Sequence, residues 1–123
     1  MANTPDGGEE VAMILNNVPV ILSLPSTGTT IQKRFLLDNK EPLTLSATVR
    51  TGSVIMYVSL VPATTQKALW KVETQAGKTG KISVKTSDAN FHFGALYYII
   101  LTSTSCRVDM TLGLSQARQV TEL

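Results

Sequence analysis

Apolar and polar residues alternate along much of this chain with a period of two. In the segment Leu43–Val49, leucine, alanine and valine side chains fall on one face, and threonine and serine side chains fall on the other. The same alternation runs through Val54–Leu60, Ile82–Val84 and Cys106–Leu114. Because successive side chains of a β-strand point to opposite faces of its sheet, this pattern predicts half-buried strands at all four places.

Other segments carry strand signals of a different kind. Leu96–Leu101, with the sequence LYYIIL, is apolar on both faces and rich in β-formers. Such a segment is typical of a central strand that is covered on each side. Weaker signals predict further strands at Val11–Leu15, Val18–Leu24 and Ile31–Leu37, and at a short segment marked by Trp70 and Val72.

These segments together predict an all-β protein. Helix signals are nearly absent, and Gly, Asn, Asp and Ser turns separate the strands. About seven to nine short strands with such turns indicate a single antiparallel β-sandwich of jelly-roll type. We expect a flexible polar lead at residues 1–10, the sandwich domain at residues 11–116, and a short tail at residues 117–123.

Composition and charge narrow the function classes. The 123 residues have the size of one domain, and the chain is 43% hydrophobic and 16% charged, which is too apolar for intrinsic disorder. The net charge of +2 is too small to indicate nucleic acid or an anionic lipid surface as a partner. No apolar run approaches the roughly 20 residues that span a bilayer, so we expect no direct membrane insertion.

The residues that usually carry catalysis are sparse. The chain has one histidine, His92, and one cysteine, Cys106, in different segments and without a motif that would pair either with a partner group. We interpret Cys106 as a buried packing residue, because free cysteine behaves as a small hydrophobe. The segment Gly77–Gly80 has the wrong spacing for a phosphate-binding loop and predicts a hairpin turn instead. We therefore expect no enzymatic activity.

One third of the chain combines an aromatic ring with basic residues. Several lysines lie near Trp70 in the sequence. If Trp70 is exposed, its ring and the neighbouring lysine side chains would form a stacking or cation-π platform for a sugar or a peptide. The alternative is a tryptophan that caps the core, with lysines that solvate a strand face and protect a sheet edge. The candidate ligand-binding residues are Lys67, Trp70, Lys71, Lys81 and Lys85.

Calcium is the one metal that the sequence makes worth considering, and no other cofactor is expected. Acidic residues stand near the N-terminus and in predicted loops, where carboxylate oxygens suit a hard cation with six to eight oxygen ligands. The candidate ligands are Glu9, Glu10, Asp38 and Asp88. Asp and Asn are also ordinary turn formers, and the chain has no Asp-x-Asp-x-Asp loop, so a structural role in turns stays open.

Several segments follow the order of a known module. These are Asn16–Pro19 with its proline turn, a strand at Lys33–Leu37, the "L-T-L-S" strand Leu43–Ala47, the segment Gly52–Ser59, then Pro62 and Trp70, and finally GALYYII at Gly94–Ile100. In this pattern the chain resembles the pre-peptidase C-terminal module, a jelly-roll β-sandwich appended to secreted proteases and surface proteins. The resemblance covers most of the chain, and Gly94–Ile100 is its most specific part.

The resemblance carries implications of its own. Calcium-dependent relatives in that family bind collagen and use acidic residues near the start of the module, where Glu9 and Glu10 stand here. Ser53, Val54 and Ile55 replace acidic residues that the family usually carries before its Leu-Tyr-Val strand. A second segment pair, Gly94–Ser103 and Val108–Leu114, is similar to the C2-like β-sandwich of calpain-type proteins, which are cytosolic and regulatory.

Two functions follow as expectations. In the first, the chain is a non-catalytic adhesion or targeting module of a larger protein, which holds protein or carbohydrate through loops and a sheet edge. The resemblance to secreted proteins favours an extracellular or cell-surface location for this module. In the second, the chain is an intracellular structural domain that packs against its parent chain or a homo-oligomeric partner. The rest of a larger parent chain is a partner in both.

Overall fold

The computed structural model describes residues 12–116, and within that range it contains strands, turns and loops but no helix. The predicted lead at residues 1–10 and the predicted tail at residues 117–123 lie outside the described residues. Eight strands make up the domain: β1 (Val20–Leu24), β2 (Thr30–Leu36), β3 (Leu43–Thr51), β4 (Ser53–Ser59), β5 (Trp70–Gln75), β6 (Thr79–Val84), β7 (Leu96–Ser103) and β8 (Val108–Gln116).

The strands pair as in one long antiparallel hairpin that has been folded over. β1 pairs with β8, β2 with β7, β3 with β6 and β4 with β5. Folding the hairpin adds the pairs β3 with β8 and β4 with β7. The result is two four-stranded sheets, ordered β1-β8-β3-β6 and β2-β7-β4-β5. This nested antiparallel pairing is that of a jelly-roll β-sandwich, which confirms the predicted fold class.

The core lies between the two sheets and is built from alternate residues of each strand. In β3, Leu43, Leu45, Ala47 and Val49 are buried while the residues between them face solvent. Val54, Met56 and Val58 of β4 and Val108, Met110, Leu112 and Leu114 of β8 follow the same rule. Each fully buried aliphatic side chain of this kind contributes roughly 1.5–3 kcal/mol relative to an exposed one. The two-residue alternation in the sequence therefore predicts which residues pack between the sheets.

The central strand predicted at Leu96–Leu101 lies inside its sheet, with β2 on one side and β4 on the other. Its outer face is covered less evenly than its inner face. Ile100 is 2% exposed although it lies outside the inter-sheet core, whereas Leu96 and Tyr98 on the same face are half-buried. The loop after β4 reaches this face, because the N–H of Ala63 donates to Oε1 of Gln32, the cross-strand neighbour of Ile100.

Two of the local predictions were wrong. Val11–Leu15 does not form a strand in the described part: Met13 makes one isolated bridge to Arg34, and Leu15 makes another to Val18. The turn at Gly77–Gly80 does not close a hairpin, because β5 and β6 belong to different sheets. It carries the chain from one sheet to the other, and backbone hydrogen bonds from Ala76 to Gly52 and from Gly77 to Val49 hold it in place.

Each sheet ends in two edge strands, β1 and β6 in one sheet and β2 and β5 in the other. The edge strands β5 and β6 contact each other along one side of the sandwich. Residues 12–116 include no helix of the length and apolar character that crossing a bilayer requires.

Candidate functional site

The imidazole and the thiol lie at opposite ends of β7. His92 is in the loop that precedes this strand, and Cys106 is in the bend that follows it. The strand has eight residues, so at about 3.3 Å per residue its ends are about 25 Å apart. Among the described residues no group of three His, Cys, Asp or Glu side chains is placed to hold a metal ion. The fold therefore does not bring the histidine to the cysteine.

The interpretation of Cys106 as a core residue was wrong, because its side chain is exposed. The alternation does continue back from β8 to residue 106, but the strand begins only at Val108. In the bend before it, Oγ of Ser103 donates hydrogen bonds to the carbonyls of Ser105 and Cys106. This turn holds the backbone outside the sheet, so the periodicity no longer decides where the side chain points.

The predicted calcium ligands are not gathered into one site by the described residues. Glu9 and Glu10 lie outside the described range, and Asp38 is exposed after the end of β2. Asp88 uses Oδ1 to accept the backbone N–H of Asn90 at 2.8 Å. That contact is the turn-forming role that acidic residues take in loops. Calcium binding stays a prediction.

Trp70 faces the core. Its ring is half-buried and stacks on the Tyr97 ring, with 5.9 Å between centroids, and Phe35 stacks on Tyr97 with 5.2 Å between centroids. The Tyr97 hydroxyl donates to the carbonyl of Asn90 at 2.5 Å and accepts the N–H of His92 at 2.7 Å. Burial raises the pKa of this phenol, and the hydrogen bond from His92 opposes that shift. Trp70 thus has the core-capping position that was the alternative to an open platform.

The four predicted lysines are all exposed but do not surround the tryptophan. Lys67 lies in the loop before β5, and Lys85 follows the end of β6. Lys71 is next to Trp70 in β5, so its side chain points to the opposite face of the sheet. Lys81 lies on β6 in the other sheet. The ligand-binding roles of these lysines and of Trp70 stay predictions.

Lys71 instead joins a group of aromatic and apolar residues on the outer face of the sheet β2-β7-β4-β5. Its Nζ lies 5.8 Å from the centroid of the Tyr57 ring, its cross-strand neighbour on β4. Tyr98 on β7 is a diagonal neighbour of Tyr57, because Tyr57 pairs with Ile100. Ile55 precedes Tyr57 on the same face, and all three apolar or aromatic side chains are half-buried. We call Ile55, Tyr57, Lys71 and Tyr98 the tyrosine face.

A second feature lies on the side of the sandwich where β5 and β6 meet. An open cavity of about 400 Å³ is present there. Seven residues line it: six have side chains that can form hydrogen bonds, and the seventh is a glycine. The lining residues of this β5–β6 cleft are Ser53, Glu73, Thr74, Gln75, Lys78, Thr79 and Gly80.

Thr74 and Gly80 form the inner part of the β5–β6 cleft. Thr74 is 6% exposed, and its Oγ1 has no hydrogen-bond partner among residues 12–116. A Cβ placed on Gly80 would overlap that Oγ1, so the threonine occupies the space that the missing side chain leaves. The absence of a side chain at Gly80 lets the two edge strands approach, and the Thr74 hydroxyl that fills the space is buried without a hydrogen-bond partner in the described part of the chain.

A polar network ties β1, β3 and β8 together on the outer face of the first sheet. Asp109 accepts hydrogen bonds from Oγ of Ser23 at 2.6 Å and from Oγ1 of Thr51 at 2.9 Å. The guanidinium of Arg107 donates to both carboxylate oxygens, at 3.1 and 3.2 Å. The hydrogen bonds from Arg107, Ser23 and Thr51 hold the pKa of the Asp109 carboxyl well below its usual range. The Asp109 carboxylate therefore connects three neighbouring strands through its hydrogen bonds.

The residues that the sequence did not single out are those whose roles depend on neighbouring strands. The two-residue alternation in Val54–Leu60 places Tyr57 on the outward face of its strand. Its proximity to Tyr98 and Lys71 follows only from the pairing of β4 with β7 and β5. Thr74 and Gly80 carry no motif, and their contact exists because β5 and β6 meet at the side of the sandwich.

Comparison with known proteins bears on the fold. No protein-family model matches the chain, and no curated protein matches it. Among solved structures, the chain is similar to the pre-peptidase C-terminal domain of collagenase from Bacillus anthracis, with a TM-score of 0.66 and 14% sequence identity. The similarity covers 93% of this chain and 100% of that domain. The resemblance expected from the sequence is thus confirmed: this chain has the β-sandwich fold of a pre-peptidase C-terminal domain.

Proposed function

We propose that this chain is a non-catalytic binding module that holds an extended polypeptide of another protein on its tyrosine face. The observation that carries the proposal is the arrangement of Tyr57 and Tyr98 as diagonal neighbours, with the Lys71 ammonium over the Tyr57 ring. Tyrosine is enriched in protein interfaces because a rigid apolar ring carries a polar hydroxyl at its tip. A lysine beside it adds a donor for the carbonyls of a bound chain.

The shape and composition of this face support a polypeptide as its ligand. Ile55 and the two tyrosine rings are half-buried, so part of their apolar surface is accessible to a ligand while the rest packs against the sheet. Side chains held on paired strands lose little conformational freedom on binding, which favours affinity. Lys71 and Glu73 both lie on the exposed part of β5, where they place charges of both signs at the rim.

The similarity in fold supports a module attached to a larger protein. The similar solved structure is the pre-peptidase C-terminal domain of a collagenase. A domain of that kind is distinct from a catalytic domain. We infer that the present chain is likewise a module of a larger protein and that it binds a ligand of that protein outside cells or at their surface.

The experiment measures binding to immobilised ligands. The whole chain is passed over a collagen-like Gly-Pro-Pro repeat peptide and over a display library of linear peptides, with cellohexaose as a glycan probe. We expect binding to a peptide, and Tyr57→Ser should weaken it about tenfold, since a central tyrosine of an interface contributes about 1–2 kcal/mol. Lys71→Gln should weaken it less, because its charge lies at the rim.

Two controls make the result specific. Lys81→Gln removes the same charge from the edge strand of the other sheet and should leave peptide binding unchanged. Thermal unfolding of Tyr57→Ser should stay close to that of the parent chain, since the ring is only half-buried. Binding of cellohexaose alone, or equal effects of the two lysine substitutions, would refute the proposal. Self-association in light scattering, abolished by Tyr57→Ser, would point instead to an assembly role.

A further inference from the structure

Within residues 12–116, the edge strand β1 has β8 as its only neighbouring strand. Each of the other three edge strands contacts a further segment. β5 and β6 contact each other. Along β2, the N–H of Arg34 donates to the carbonyl of Ala12, and the N–H of Ile14 donates to the carbonyl of Arg34. β1 therefore presents backbone groups that a further strand can bind.

Hydrogen bonds of β8 show to which side each of its residues turns its backbone groups. The carbonyl of Leu114 accepts the N–H of Asn17, in the segment that leads into β1. The N–H of Asp109 donates to Oγ1 of Thr51 on β3. Because alternate residues of a strand turn their N–H and C=O groups to the same side, the even-numbered residues of β8 face β1 and the odd-numbered residues face β3.

The register between β1 and β8 then shows which groups of β1 point outwards. Ile21 lies opposite Thr111, and Ser23 lies opposite Asp109. Both β8 residues turn their backbone groups to β3, so these two pairs are the ones without hydrogen bonds. The N–H and C=O groups of Ile21 and Ser23 therefore point away from β8, to the open edge of the strand.

The outward groups of β1 are arranged symmetrically about Leu22. Ile21 and Ser23 are each one residue from Leu22, and Pro19 and Pro25, which have no N–H, are each three residues from it. A second, antiparallel copy of β1 related by a two-fold axis at Leu22 places Ile21 opposite Ser23 of the copy. Each outward N–H then meets a carbonyl, and each proline lies opposite a proline, so no N–H is left without a partner.

The side chains beside this edge also suit a second copy. Four of the seven large hydrophobic residues that are exposed in the described range lie close together along the chain: Met13, Leu15, Val18 and Ile21. Such an exposed apolar cluster is typical of an interaction surface. Residues 11–32 contain no charged residue, and Arg107 and Asp109 on the adjacent β8 form an ion pair. Two copies can therefore approach along β1 without strong like-charge repulsion.

We infer that the open edge of β1 is a homodimer interface, at which two copies of this chain pair β1 with β1 in antiparallel orientation. The four-stranded sheets of the two copies then form one continuous eight-stranded sheet. The interface is independent of the proposed polypeptide ligand and uses none of the residues of the tyrosine face. Because the paired strands have only five residues each, the contact belongs to the small, weak class of protein interfaces.

The test combines sedimentation equilibrium with nuclear magnetic resonance measurements of amide hydrogen exchange. Both use the whole chain under reducing conditions, because the Cys106 thiol is exposed. We expect the average mass to rise from that of a monomer towards that of a dimer between about 10 µM and about 1 mM. Exchange of the Ile21 and Ser23 amides should slow over the same range, whereas the Leu22 amide, which faces β8, should be protected throughout.

Two results would overturn the inference. One is a monomer at every concentration. The other is slow exchange of the Ile21 and Ser23 amides at the lowest concentration, because a segment of the same chain would then already cover the edge.

The substitution Ile21→Pro tests the hydrogen bonds of this interface. It removes an outward N–H and no hydrogen bond to β8, and proline is compatible with an edge strand whose N–H faces solvent. Two of the four hydrogen bonds between the copies are lost, so the dissociation constant of the dimer should rise at least tenfold. Unfolding of the dilute protein by urea shows whether this variant still folds.

Ile21→Lys keeps the inference testable if the proline variant does not fold, because residue 21 is 74% exposed. It places like charges at diagonal positions across the two-fold axis and should also raise the dissociation constant about tenfold. Val61→Lys, at an exposed position in the loop after β4, is the matched control and should leave dimerisation unchanged.

Tyr57→Ser separates this interface from the proposed function. It should leave dimerisation unchanged, and Ile21→Lys should leave peptide binding unchanged. Equal dimerisation of Ile21→Lys and Val61→Lys, or loss of the dimer in Tyr57→Ser, would refute the β1 interface.

Discussion

The substitution Gly80→Ala tests the close contact between β5 and β6, because it adds a Cβ at the point where these two strands approach each other. The added Cβ would overlap Oγ1 of Thr74, and it would lie 3.1 Å from Cγ2 of Val72 and 3.2 Å from Cβ of Thr74. The contact with Oγ1 is far inside the van der Waals distance, and the branched Thr74 side chain has few rotamers with which to avoid it. Overpacking of this kind costs about 1–3 kcal/mol.

A second effect of the substitution opposes the clash, so the sign of the change in the free energy of unfolding shows which effect is larger. Replacing glycine by alanine at a compatible backbone position stabilises a protein by about 0.4–1 kcal/mol through the unfolded chain. Gly80 does not have a positive φ, so its backbone suits alanine. We therefore expect a net destabilisation of roughly 1–2 kcal/mol in the parent chain. In a Thr74→Ala background, where Oγ1 is gone, the same substitution should be close to neutral.

Urea denaturation of the four proteins in this double-mutant cycle measures the effect. The cycle should give a coupling of about 1–2 kcal/mol between positions 74 and 80, as expected for two groups in direct contact. Gly113→Ala is the control, because its Cβ would meet only Oγ of the half-buried Ser46, at 3.1 Å. The reasoning is refuted if Gly80→Ala is as harmless as Gly113→Ala, or if Thr74→Ala does not rescue it.

Two further predictions concern acid stability and the core phenol. The hydrogen bond from Arg107 helps to hold the pKa of the Asp109 carboxyl below the value of about 3.9 of an unfolded aspartate. The ionised Asp109 carboxylate therefore contributes its full stabilisation at pH values above about 3.9, and this stabilisation decreases as the pH falls below that value. The difference in thermal midpoint between the parent chain and Asp109→Asn should thus be largest near neutral pH and shrink in acid; a constant difference would contradict it. Tyr97→Phe removes the hydroxyl that bonds Asn90 and His92 and should lower the free energy of unfolding by about 1–2 kcal/mol, measured in urea, whereas no loss would show that these bonds contribute nothing.

The alternating segments show why the strands were predictable. β3, β4 and β8 each bury every second residue, and the apolar positions of the sequence alternate in the same phase. Burial on one face of a strand is a local consequence of the strand's own geometry. The exceptions occur where the chain leaves the sheet. Cys106 continues the apolar phase of β8 but lies in a bend, and periodicity has no meaning outside the strand.

The candidate site was less predictable, because it depends on pairs of residues from different strands. The sequence places Trp70 and Lys71 side by side, yet the strand directs them to opposite faces, one towards Tyr97 and the other towards Tyr57. The five residues of the predicted platform were grouped by their separation along the chain. Separation along the chain says little about proximity in a jelly roll, where strands distant in sequence lie together.

By itself the sequence determined the strand composition, the two-sheet architecture and the identity of most buried residues, because a period of two residues specifies which side chains leave water. Only the tertiary structure decided which strands became neighbours. The folding over of one long hairpin set β4 beside β7 and brought β5 against β6, and those contacts created the tyrosine face and the β5–β6 cleft. Both features are properties of strand pairing, and pairing depends on the packing of the whole chain.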